Sequence, residues 1–181
     1  MDEVFSIKMK YKKIHLQQNS YIHNSTILSA DVSIGHFCIF EADCEIGYHT
    51  EIKDYVRLGP NTKIGNNCFI DSYVKMSGNC RIGNGVKIRY DSIIARNCII
   101  GNDVFIAPKV MFIFNREKET LIGHGVKIMT GAIIDGGIYI CEGCVIGANS
   151  FVNRDCTKPG NYFGTPCRRQ LGECRNHFQK L

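Results

Sequence analysis

From Ile22 to Phe112 every sixth residue is aliphatic, aromatic or Met, a series that opens Ile22, Leu28, Ile34, Phe40 and closes Ile94, Ile100, Ile106, Phe112. Four residues after each member, as far as Val110, stands a smaller side chain such as Thr26, Val32, Cys38, Cys44 or Thr50. A period of six fits neither the 3.6-residue helix nor the alternation of an ordinary strand. It predicts a parallel β-helix, in which each hexad is a short strand plus a corner and three hexads close one coil. A single coil cannot bury its apolar side, so the core exists only in the stack.

The period slips once. Phe112 to Ile122 spans ten residues where six are expected, after which Ile122, Ile128, Ile134, Ile140, Ile146 and Val152 resume the large position. The extra residues place an out-looped corner at 114–119, from Phe114 to Glu119, with the strand restarting at Thr120. The expectation is an all-β chain of about seven triangular coils over 22–157. A capping segment precedes it at 1–21, with alternation around Met9 and Tyr11, and a tail follows at 158–181. Within the tail Leu171, Cys174 and Phe178 fall at near-helical spacing. Glycines directly after the large residue, such as Gly35, Gly47 and Gly83, read as corners that need positive φ.

Ten cysteines raise the question of metal or disulfides, and the ladder answers most of it. Cys38, Cys44, Cys68, Cys80, Cys98, Cys144 and Cys156 all occupy the small inward position, where Cys substitutes for Val or Thr. Cys141 and Cys144 have the spacing of half a zinc site, but no second pair completes it and the register turns Cys141 outward. No metal is expected. Thiols at this density suit a reducing compartment, so the chain is expected in the cytoplasm. A net charge of +5 without an aromatic-and-basic stripe argues against nucleic acid. The sequence also contains no long apolar run for a membrane span and no secretory leader pattern.

The run over residues 22–170 resembles the left-handed β-helix acyltransferases of the hexapeptide-transferase superfamily. The similarity rests on the hexads themselves, on Gly147-Ala148-Asn149-Ser150-Phe151-Val152-Asn153-Arg154-Asp155 and on Gly164-Thr165-Pro166-Cys167-Arg168. Asn67 to Ile70 and Val104 to Phe112, followed by a short loop, look most like the N-acetyltransferases of nucleotide-linked amino sugars. The resemblance implies a left-handed coil, acetyl-CoA as co-substrate, a nucleotide-linked amino sugar as acceptor, and a homotrimer with its site between subunits. It implies that Gly131-Ala132 and Gly147-Ala148 meet pantetheine and that Lys158, Arg168 and Arg169 face the CoA phosphates.

Acyl transfer needs a positioned thioester, loss of a proton from the nucleophile and a donor for the oxyanion. His124, on the first corner after the loop, is the candidate base, because an imidazole exchanges protons near neutrality. Asn115 is the candidate for orienting the amine or the acetyl carbonyl. Asp91 and Asp103 are candidates for the acceptor's ammonium or hydroxyl groups, and Arg89 and Arg96 for its diphosphate. The chain departs from the resemblance in having no His from Val110 to Glu119, Phe114 where the amino-sugar enzymes begin their loop with Asn, and Ser77 where some carry Glu. A neutral amine attacks without a strong base, which favours an amine acceptor. An O-acetyltransferase and a non-catalytic scaffold are the alternatives. A carbonic anhydrase of this fold needs three converging His ligands, and His36, His49 and His124 are not on neighbouring layers.

Overall fold

The computed structural model describes residues 14–16 and 19–170. The strand expected at Met9–Tyr11 and the helix expected near Leu171–Leu181 lie outside the described residues.

Successive strands rotate around three faces of a triangular prism. The first face begins with Ile14–Leu16 and Val32–Ile34, the second with Tyr21–Ile22, the third with Ile27–Leu28, and they contain ten, eight and seven strands. All neighbours are parallel except at the last strand, Arg168–Arg169, which runs antiparallel to Gly160–Phe163. The register is in phase throughout: Ile52, Ile70, Ile88, Ile106, Ile128 and Ile146 lie opposite one another on the first face. The stack extends past both ends of the hexad run, because Leu16 pairs with Ile34 and Tyr162 with Ile146. Leu16 is in phase with Ile22 in the sequence, but Ile14 stands where the hexads elsewhere have a small residue, which hides this strand from pattern counting. The prism therefore has about eight turns. Among the described residues no helix is long and apolar enough to cross a membrane.

Both inward positions are buried. Leu28, Phe40, Leu58, Ile70, Ile88, Ile106 and Ile128 are completely inaccessible, as are Cys38, Cys44, Cys80, Cys98 and Cys144. The smaller position does more than fill space. Thr50 Oγ1 donates to the Gly65 carbonyl at 2.8 Å and Ser92 Oγ to Ala107 at 3.0 Å, while the thiols of Cys38, Cys68 and Cys80 reach Lys53, Gly83 and Ala95 at 3.1, 3.1 and 3.2 Å. Each spans fifteen residues, from an inward side chain to the corner of the next coil. Corner carbonyls that point into the prism thus gain donors, which explains why Thr, Ser and Cys share this position with Val. Burial raises these thiols: Cys44 is pushed up to about 11 and Cys98 to about 12.

Two sequence expectations are corrected by the corners. Glycines after the large residue are not the positive-φ residues. A Cβ on Gly47 would lie 2.5 Å from the Gly65 carbonyl carbon, and one on Gly35 2.7 Å from that of Lys53. Glycine serves there because adjacent coils approach too closely for a side chain. The left-handed conformation falls two residues later, at Asp31, Phe37, Asp43, His49, Tyr55 and Asn61, with φ between 52 and 59°. Cys141 occupies the same tight position as those glycines and is buried, 7% exposed, with its Sγ 3.5 Å from that of Cys144. Its side chain turns under the next coil instead of outward.

Candidate functional site

Function has to be carried on the prism's surface, and its three edges differ. The aromatic edge joins the first and second faces: Phe37, Tyr55 and Tyr73 stand there at positive φ, about half exposed. Their rings stack at 5.1 and 4.8 Å, the coil spacing, with interplanar angles of 11 and 5°. The loop edge joins the second and third faces, and the histidine edge joins the third and first.

On the loop edge, 114–119 folds back over Gly136-Gly137 of the next coil. A Cβ on Gly136 would lie 2.7 Å from both the Ile113 carbonyl oxygen and the Asn115 nitrogen, so the absence of side chains lets the loop lie down. Asn115 organises it: Nδ2 donates to the Gly136 carbonyl at 3.2 Å, and Oδ1 accepts from the backbone N–H groups of Glu117 and Lys118 at 2.9 and 3.0 Å. Arg96 lies on the corner below, with Nη2 3.5 Å from the Ser77 carbonyl.

Below the loop a groove of about 290 Å³ is lined by Asn61, Asn79, Asn97, Lys63, Arg81 and Glu119. The sequence reading missed it. Its signal is an eighteen-residue recurrence, Asn61-Asn79-Asn97 beside Lys63-Arg81, which appears only when hexads are sorted by edge. The three asparagines hold φ of 56, 50 and 62°, a conformation Asn tolerates better than most residues.

On the histidine edge, Oδ1 of Asn66, Asn84 and Asn102 each accept the corner N–H one coil below, at 2.8–2.9 Å. His124 ends this ladder, its Nδ1 accepting from the Asn102 N–H at 2.9 Å. Nδ1 therefore carries no proton in the neutral ring, and Nε2 presents an N–H to solvent. Asp103 lies on the coil below, in a groove of about 560 Å³ on the first face with Lys87, Phe105, Lys127 and Met129.

The remaining candidates lie elsewhere. Asp91, Arg89, Gly131-Ala132 and Gly147-Ala148 are on the aromatic edge. Arg89 is engaged by Asp71 at 3.1 Å and lies over the Phe69 ring. Ala132 is inaccessible, and a Cβ on Gly147 would lie 2.0 Å from the Phe163 ring, which covers that backbone. Lys158 is on the histidine edge near the top of the prism. Arg169 donates twice to the Pro159 carbonyl, and Arg168 donates to the carbonyl of Cys167. One chain thus brings His124 near Asp103 and Asn115 near Arg96, but not the two pairs together.

These features define a parallel β-helix of stacked hexapeptide coils with one interrupted edge. A family model described as the bacterial transferase hexapeptide (six repeats) matches residues 61–96, 79–113 and 119–154. These hexapeptide repeats support a place in the hexapeptide-repeat acyltransferase superfamily. By structure it is similar to the UDP-N-acetylglucosamine acyltransferase of Campylobacter jejuni, with TM-score 0.69 and 19% identity, covering 87% of this chain and 74% of that one. The maltose O-acetyltransferase of Clostridium difficile 630 is similar over 59% of this chain and 67% of its own, at 26% identity and TM-score 0.51. For the serine acetyltransferase of Neisseria gonorrhoeae the identity and TM-score are again 26% and 0.51, with coverage of 54% and 41%. A sequence search of curated proteins finds no match.

Proposed function

We propose that the protein is an acetyl-CoA-dependent N-acetyltransferase acting on a nucleotide-linked amino sugar, with each site shared by two chains of a homotrimer. In a threefold assembly of triangular prisms, the two faces that meet at the axial edge make the contacts, and the outer edges of neighbouring chains come together. An axis along the aromatic edge joins the loop edge of one chain to the histidine edge of the next. The exposed rings of Phe37, Tyr55 and Tyr73 support this choice. So does the apolar outward row Ile93, Met111, Ile133 and Phe151 on the second face, which borders that edge. Gly131-Ala132 and Gly147-Ala148 then lie at the axis, and the backbone of Gly123–Gly125 takes the pantetheine role proposed for them. Lys158, Arg168 and Arg169 remain at the first face and its histidine edge for the phosphates.

In this site the bound ammonium first loses a proton to water, the neutral amine attacks the thioester carbonyl carbon, the carbon–sulfur bond breaks, and the second proton passes through water to the departing CoA thiolate. His124 Nε2–H donates to the oxyanion, so its role is donor in place of base, and Asn115 holds the loop that covers the acceptor. The observation that supports the reading most is the pairing of one out-looped edge with an exposed His124 whose ring is oriented by the corner ladder. The test is incubation with acetyl-CoA and UDP- or dTDP-linked amino sugars, following thiol release and identifying the product by mass spectrometry. An N-acetyl amide is expected; an ester formed only with hydroxyl acceptors would overturn the amine assignment. His124→Asn retains the ladder acceptor and should lower kcat by roughly 100-fold.

A further inference from the structure

We infer that the groove beneath the loop is a subsite for a zwitterionic sugar, an amino sugar bearing a phosphate, with its anion toward Arg81 and its ammonium toward Glu119. Assigning this ligand as the acceptor rests on the acetyltransferase reading; the binding chemistry does not.

The charges in the groove are distributed, not uniform. Lys63 is already paired with Glu45 at 2.8 Å, whereas Arg81 has no ion-pair partner among the described residues. Arg81 presents a planar fork of N–H donors suited to two phosphate oxygens. Glu119 belongs to the loop and forms the groove's upper rim, where it too has no ion-pair partner among the described residues. A carboxylate and a guanidinium in one groove without pairing to each other leave one site for each sign of charge. Between them the asparagine amides repeat at the coil spacing. Asn61 Nδ2 donates to Asn79 Oδ1 at 3.2 Å, while Asn79 Nδ2 and both ends of the Asn97 amide make no hydrogen bond among the described residues. Amides offer both donor and acceptor, which is what ring hydroxyls require. The volume of about 290 Å³ admits a single sugar ring but not a protein segment.

The order of features also gives polarity. The carboxylate is on the loop that covers the reaction site, so a ligand held this way presents its amino group to that loop and its phosphate away from it. A nucleotide joined to that phosphate extends down the loop edge toward Asn61.

The test is calorimetric titration near neutral pH, without acetyl-CoA, using glucosamine 1-phosphate, glucose 1-phosphate, N-acetylglucosamine 1-phosphate and inorganic phosphate. Glucosamine 1-phosphate should bind at least about 10-fold more tightly than the other three, since each missing charged contact is worth about a factor of ten. Arg81→Gln should weaken its binding about 10-fold, and Glu119→Gln should abolish the preference over glucose 1-phosphate. The melting temperature should be unchanged in both variants, because both side chains are exposed and neither has an ion-pair partner among the described residues. Equal binding of the two hexose phosphates, no binding of glucosamine 1-phosphate, or insensitivity to Arg81→Gln would each overturn the subsite. Arg81-dependent binding by a protein that releases no thiol from acetyl-CoA would uphold the subsite and reject the acetyltransferase reading.

Discussion

The aromatic edge and the loop edge use the same backbone. In each coil a residue two places before a strand enters the left-handed region, and the corner N–H bonds to the coil below. At that shared position the lower coils of the aromatic edge have Phe37, Tyr55 and Tyr73, followed by Asp91 and Lys109, while the loop edge has Asn61, Asn79 and Asn97. Rings stacked on rings have only their rims left for solvent, so that edge suits a dry contact with other chains. Amides stacked on amides keep unused donors and acceptors, so that edge suits a polar ligand. Regularity inside the prism therefore leaves the outside free to specialise, and the one interruption falls on the polar edge.

The largest expected effect separates the two edges by assembly. In the proposed trimer, Tyr55→Glu should place three carboxylates among the stacked rings at the axis and reduce the mass in light scattering to the single chain of 20.4 kDa. Asn79→Glu, at the equivalent position of the loop edge, should leave the trimer intact. If both variants remain trimeric, the axis does not run along the aromatic edge.

Neither edge should rival the interior in stability. Ile106→Ala removes a completely buried side chain from a ladder packed on both sides and should cost about 2–5 kcal/mol in urea unfolding. A smaller contrast isolates the two uses of glycine. Gly47→Ala meets the Gly65 backbone at 2.5 Å and should cost about 1–3 kcal/mol. Gly125→Asn has no atom within 4 Å of its new Cβ and a φ of 64°, and should change stability by less than about 0.5 kcal/mol.

A pH-dependent contrast sets the interior apart from both edges. The Cys98 thiol is raised from 9.0 to about 12 by burial, so it stays protonated in the folded chain while the unfolded chain ionises. The stabilisation is complete below pH 9 and is lost as pH rises toward 12, at about 1.4 kcal/mol per pH unit for each such thiol. Thermal melts should therefore fall across this window, less steeply in Cys98→Val. Identical slopes would show that the thiols do not drive the alkaline loss.

Much of this architecture can be read in the hexads, because burial acts on single residues at a fixed period. Both inward ladders and the loop after Phe112 follow from that count, as does the inward placing of seven cysteines. What is not legible depends on neighbours across coils. Gly47 and Cys141 occupy a position whose crowding comes from the next coil's backbone, which no single hexad describes. His124 reads as a base in isolation, yet the Asn102 N–H takes the nitrogen a base would use. The asparagine groove needs the hexads sorted into three edges before its eighteen-residue repeat emerges, and the expected pantetheine backbone at Gly147 is covered by Phe163.

The central claim is a transfer site shared between the loop edge of one chain and the histidine edge of the next. Its most direct test is thiol release from acetyl-CoA, with an amino-sugar acceptor, in mixed trimers of two impaired chains. One chain has 114–119 shortened to a two-residue corner, and the other carries His124→Asn. Reassembled together, they should release CoA well above either parent alone, because mixed trimers pair an intact loop with an intact His124. A mixture no more active than its parents would contradict a shared site.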